Sequence, residues 1–161
     1  MATILVVAEI SGNAVKKTTH SAIAFARKAG GSFSILAIGA GAAGVAGELA
    51  GFGATEVLVA DDAKLADYVA ENFVGTVIDA AKAGGFDLVV ATASSCGKDL
   101  LPRVAIALDA GYAADISDVS VDGAKLVYKR PMYAGNAFGY GSITTTNQVV
   151  TVRQSEFTPA E

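Results

Sequence analysis

The chain of 161 residues has one cysteine, one histidine, three prolines and no tryptophan. The single cysteine, Cys96, excludes an internal disulfide and any cysteine-based metal site, and with His20 as the sole imidazole a zinc site is remote. Charged residues make up only 17% of the chain, no Lys/Arg cluster stands out, and the net charge is −4, so neither nucleic acid nor an anionic membrane is the expected partner. No apolar run approaches the ~20 residues of a membrane span. Met1-Ala2-Thr3 leads straight into a strand pattern, with no room for a signal or transit peptide. These gaps predict a soluble, cytoplasmic chain without a metal.

What the chain has is apolar surface. Its apolar content is 52%, more than a lone domain needs, which hints at a buried partner interface. The length suits one domain, residues 1–161, with a substantial core. The continuous apolar run Thr3–Ala8 reads as a strand covered on both faces. Glu9–Thr19 reads as a loop, and Thr18–Ala29 as a helix closed by Gly30-Gly31. Ser32–Ile38 is a second strand, Gly39–Gly53 a Gly/Ala-rich segment with a short helix, and Glu56–Ala60 a third strand. Leu65–Ala83 has the spacing of the longest helix, Asp87–Ala91 is a fourth strand, and the helix after it ends at Gly111. Asp115–Val119 is a weak fifth strand. The alternation predicts a parallel α/β sheet over residues 1–118 with right-handed crossovers. From 119 to 158 the texture is β-rich, with a hairpin at Asp122-Gly123 and further runs at Ala137–Thr145 and Gln148–Arg153. An antiparallel extension on one sheet edge is expected there.

Four motifs invite chemistry. Gly39-Ala40-Gly41-Ala42-Ala43-Gly44 is a formal dinucleotide fingerprint, with Asp61 where a ribose-binding acid would stand. It follows the second strand rather than the first, and its helix is short and broken by glycine, so a tight turn allowing close helix–strand approach is the preferred reading. Cys96 lies near a helix start beside Lys98, which would lower a thiol pKa, yet no histidine neighbours it in sequence; a half-buried packing residue is preferred. Gly97-Lys98 fails as a P-loop, since Thr92 replaces the required glycine and Asp99 the magnesium-binding hydroxyl. Ser94, Ser95 and free helix amides could still hold one phosphate. Asp61-Asp62 and His20 read as surface groups, and no catalytic set emerges.

Several stretches resemble the N-terminal domain of the electron transfer flavoprotein alpha subunit. They are Ile4–Glu9 (ILVVAE), Gly53–Val59 with Asp61-Asp62, Ser95–Ala105 (SCGKDLLPRVA), Asp115–Val119, Arg130–Ala137 (RPMYAGNA), and Val150–Arg153 with Phe157. The resemblance implies a Rossmann-like sheet of order 3-2-1-4-5, of the adenine nucleotide alpha hydrolase-like kind, with the antiparallel extension. It implies no catalytic residue, and an electron carrier rather than an enzyme. FAD would belong to the intact protein, with few if any contacts from this chain, because no flavin-domain sequence follows Glu161. The implied partners are the beta subunit and, through the complex, dehydrogenases and a redox acceptor, with a homodimer open to the isolated chain. Lys98, Asp99, Arg103, Arg130, Tyr133 and Asn136 are the implied interface and geometry-fixing residues, with Asp99 capping a helix whose first turn contains Pro102. The alternative is a nucleotide module for AMP, ATP or NAD, using Ala8, Glu9, Gly39, Gly41, Thr92, Ser94 and Ser95 at the switch point between the first and fourth strands. Glu9 argues against it, because a carboxylate there repels a phosphate by a few kcal/mol when poorly solvated.

Overall fold

A computed structural model describes residues 2–154 and 156–158. Strand β1 (Thr3–Ser11) is fully buried from Ile4 to Ala8, as an unbroken apolar and β-branched run requires. Its end turns back through β2 (Ala14–Val15), so the expected loop is a short hairpin. Helix α1 (Thr19–Ala29) follows, then β3 (Ser32–Ile38), α2 (Ala42–Ala50) and β4 (Val57–Ala60). Helix α3 (Ala70–Gly84) leads to β5 (Leu88–Thr92), α4 (Ser95–Ala107) and β6 (Gly111–Ile116). Strands β7 (Asp118–Asp122), β8 (Lys125–Met132) and β9 (Ala137–Gly141) form a separate antiparallel sheet, and β10 (Gln148–Val152) closes the fold.

The main sheet runs β4-β3-β1-β5-β10-β6, every neighbouring pair parallel, with β2 attached to the end of β1. Alternate residues of each strand feed two cores, as a period of two demands. Ile4, Val6, Val90 and Val150 pack with Ile23, Phe25 and Leu49 of α1 and α2. Leu5, Val7, Val89 and Val149 pack with Val77, Leu101 and Val104 of α3 and α4 on the opposite face.

Four boundaries differ from the sequence reading, each for a physical reason. Gln148–Val152 is not part of the antiparallel extension; it inserts parallel between the expected fourth and fifth strands, where its Val-rich run is buried. Asp115–Val119 is not one strand. The chain passes from one sheet to the other at Ser117, after a left-handed Asp115 (φ 54°), so β6 pairs with β10 and β7 with β8. The long helix starts at Ala70 rather than Leu65, because Val69 is extended and Leu65 belongs to a 3₁₀ turn (Ala63–Leu65). Gly111 opens β6 rather than ending α4, which stops at Ala107.

Candidate functional site

The carboxyl ends of β1, β3 and β5 meet at the switch point, where open α/β sheets bind ligands. Ala8 is buried in β1, and Glu9 follows with a side chain only 10% exposed. One Glu9 carboxylate oxygen accepts a hydrogen bond from the Ser94 hydroxyl, and the other pairs with Lys16 Nζ at 3.3 Å. Ser94 Oγ in turn accepts from the Gly97 amide at 3.0 Å and so caps α4. Buried Thr92 donates to the carbonyl of Thr18 at 2.8 Å, tying β5 to the start of α1. Ser95 is exposed in the first turn of α4.

The glycine fingerprint is occupied by the protein itself. A Cβ on Gly39 would meet Ile10 at 2.7 Å, and one on Gly41 would meet Asn13 Oδ1 at 3.0 Å. The β1–β2 hairpin therefore lies against this loop, which only glycine permits at the positive φ of 86° at Gly41. Asp61 accepts from the Gly41 amide at 2.9 Å and the Ala43 amide at 3.0 Å, placing a carboxylate where α2 would otherwise receive a phosphate. Those N–H donors, Ala43 first, hold Asp61 below the ordinary carboxylate pKa. The candidate ribose acid is instead a cap for the glycine-loop helix.

Between these groups lies a crevice of ≈ 260 Å³, floored by Val7, Ile38, Leu65 and Phe73 and walled by Tyr68 and Cys96. Burial pushes the Cys96 thiol up to about 12, the Glu9 charge adds to that, and Lys16 offsets part of it. A neighbouring Lys98 thus fails to activate the thiol, and Cys96 is a neutral wall residue at physiological pH.

Asp99 does not cap α4. The helix begins at Ser95, so Asp99 stands in its second turn, and Pro102 lies in the helix interior, where it offers no N–H to the turn before it. Asp99 accepts from Tyr68 OH at 2.7 Å and from Arg103 Nε and Nη2 at 3.2 and 3.1 Å. That cluster joins α4 to the segment preceding α3, and the Tyr68 hydrogen bond, then Arg103, lowers the Asp99 pKa. Lys98 is exposed beside it.

Arg130, Tyr133 and Asn136 lie elsewhere, on the antiparallel arm. Tyr133 and Ala134 both have left-handed backbones (φ 50° and 56°), a strained state for residues with a Cβ, and Asn136 donates to the Tyr133 carbonyl at 2.9 Å across the turn. Tyr133 is 79% exposed, and Tyr140, Phe138 and Met132 are exposed with it. The sequence reading missed these last three. The signal was present in the alternation of Phe138 and Tyr140 along a Gly-rich strand, Ala137–Gly141.

The architecture defines a Rossmann-like α/β domain whose switch-point crevice has its helix-start amides taken by Asp61 and Ser94, and whose antiparallel arm displays aromatics to solvent. A family model described as "Electron transfer flavoprotein domain" matches residues 4–161, and the chain belongs to that family. The alpha subunit of electron transfer flavoprotein from Bacillus subtilis is 32% identical over 160 residues, covering 98% of this chain and 49% of the relative. The alpha subunit from Pseudomonas aeruginosa is 36% identical over 156 residues, covering 96% and 48%. A probable mitochondrial alpha subunit from Caenorhabditis elegans is 35% identical over 159 residues, covering 98% and 47%. The chain spans about half the length of the curated relatives it matches, in keeping with the resemblance to the alpha subunit's N-terminal domain.

Proposed function

We propose that this chain is the non-catalytic scaffold and interaction domain of an electron transfer flavoprotein alpha subunit. It packs on the beta subunit and supports a flavin domain that carries electrons between dehydrogenases and a redox acceptor in the cytoplasm. The observation that carries this reading is the arm: exposed Met132, Tyr133, Phe138 and Tyr140 around a left-handed turn. Tyr133, exposed on a strained backbone, with exposed Phe138 and Tyr140 on the strand that follows, is the material of interface anchors. Asp99 and Arg103 serve the same role inward, setting how α4 meets the approach to α3.

FAD is the cofactor of the intact protein in this reading, but the crevice does not fit it. A diphosphate at α2 would meet Asp61, and one at α4 would meet the Ser94–Glu9 pair, while Ile10 covers Gly39. The same contacts weigh against the nucleotide-module reading, which keeps one favourable observation, the apolar-floored crevice at the switch point. The test is co-expression with the beta subunit followed by size-exclusion chromatography and calorimetry. The chain is expected to co-elute with the beta subunit, to be colourless alone, and to give no heat with AMP, ATP or NAD, as wild type or as Glu9→Ala. Stoichiometric flavin on the isolated chain, or nucleotide heat abolished by filling the crevice, would sink the reading.

A further inference from the structure

A second, open groove of ≈ 320 Å³ runs between β6 and the arm, walled by Tyr112, Ile116, Tyr128, Met132, Tyr140 and Ile143. Among the described residues, its single charged lining residue is Arg130. Among the described residues Arg130 takes no ion pair, whereas Arg153, which follows β10, is held by Asp115 at 2.7 Å. The register explains the trough: Arg130 stands opposite Gly139 and Tyr128 opposite Gly141, so the facing strand offers no side chain at either level. A Cβ on Gly139 would meet Met132 Sδ at 2.8 Å and narrow the groove beside the guanidinium.

We propose that this groove receives a segment of the beta subunit that carries an Asp or Glu next to an apolar side chain, with Arg130 holding the carboxylate. The inference rests on the docking role of the arm and names the chemistry of its partner. Charge complementarity selects the occupant. One guanidinium in an otherwise uncharged, aromatic-walled groove matches one carboxylate through paired N–H donors. A phosphate dianion would need a second cation, and apart from Arg130 the described lining residues are uncharged. An apolar neighbour to the carboxylate would cover Met132 and Ile143, excluding water from the ion pair as interface anchors require.

The test is the affinity of this chain for the beta subunit, measured by calorimetry at two salt concentrations. Arg130→Glu is expected to weaken the complex about 30-fold or more. Arg130→Lys should restore only part of that loss, because an ammonium cannot present the fork. Lys125→Glu, at the far end of β8, is the control and should change affinity about twofold at most. Wild-type binding should fall with added salt more steeply than that of Arg130→Gln. All variants should melt like wild type, since Arg130 is exposed. Equal binding by wild type and Arg130→Glu would overturn the inference and leave the docking reading standing. Loss of a homodimer with an unaffected heterodimer would overturn the choice of occupant. No complex for wild type would remove the docking reading itself, and this inference with it.

Discussion

Gly97 stands where α4 comes closest to the end of β5, and any Cβ there would overlap the carbonyl oxygen of Thr92. Because the obstacle is backbone, the helix itself would have to move, disturbing the Ser94 cap and the seating of Leu100 and Leu101 in the core. Gly97→Ala is expected to destabilise the chain by about 2–3 kcal/mol, checked by urea denaturation with an unchanged m-value. The resemblance placed a glycine here without a reason; the reason is close approach, not phosphate binding. Cys96 teaches the converse lesson. Its sequence neighbours, Lys98 and a helix start, argue for a reactive thiol, but burial and the Glu9 charge outweigh them. Local sequence shows which charges are near along the chain, and Glu9 is near only in space.

At the scale of elements, helix starts explain which amides beside the crevice are already taken. Each α/β crossover leaves amide groups pointing toward the switch point, and in a nucleotide-binding protein a phosphate satisfies them. Here Asp61 satisfies α2 from the end of the neighbouring strand, and Ser94, held by Glu9, satisfies α4. The Asp61 pKa is lowered in the folded chain, so its stabilisation is present above the ordinary value of 3.8 and is lost as pH falls through the lower folded value. Asp61→Asn should therefore melt at a lower temperature than wild type at neutral pH, with the gap closing as pH falls below about 3.8. A gap independent of pH, followed by calorimetric melting, would show that the carboxylate charge is not what caps α2. The existence of the glycine loop and of Asp61 was readable from the chain. That the acid would face the amides rather than a ribose was not, because both readings use the same spacing.

For the whole molecule, β10 decides the architecture. It is hydrogen-bonded on both sides, to β5 and to β6, and Val149, Val150 and Val152 are fully buried. A C-terminal extension could be trimmed at little cost; a central strand cannot. Ending the chain at Asn147 is expected to abolish the cooperative thermal transition and the near-ultraviolet circular dichroism signal. A truncated chain that still melts cooperatively would contradict the central placement. The arm is the opposite case, since β7, β8 and β9 form their own sheet, joined to the core chiefly through Val119, Leu126 and Tyr128. Its outer aromatics Tyr133 and Tyr140 are exposed and take no part in either core cluster, while Lys129 lies over the Phe138 ring.

The sequence by itself determined the class of fold, because periods of 2 and 3.6 in apolar residues are local properties that each element carries alone. It also determined the family, through motifs such as SCGKDLLPRVA and RPMYAGNA, which survive as short strings. Only the tertiary structure decided where β10 pairs, since a buried Val-rich run fits any vacant parallel slot and nothing in it names its neighbours. Only the tertiary structure showed Asp61 and Ser94 on the helix-start amides and Arg130 as the one charged residue, among those described, that lines its groove. Both depend on which side chains meet across tens of residues, and that is fixed by packing rather than by spacing along the chain.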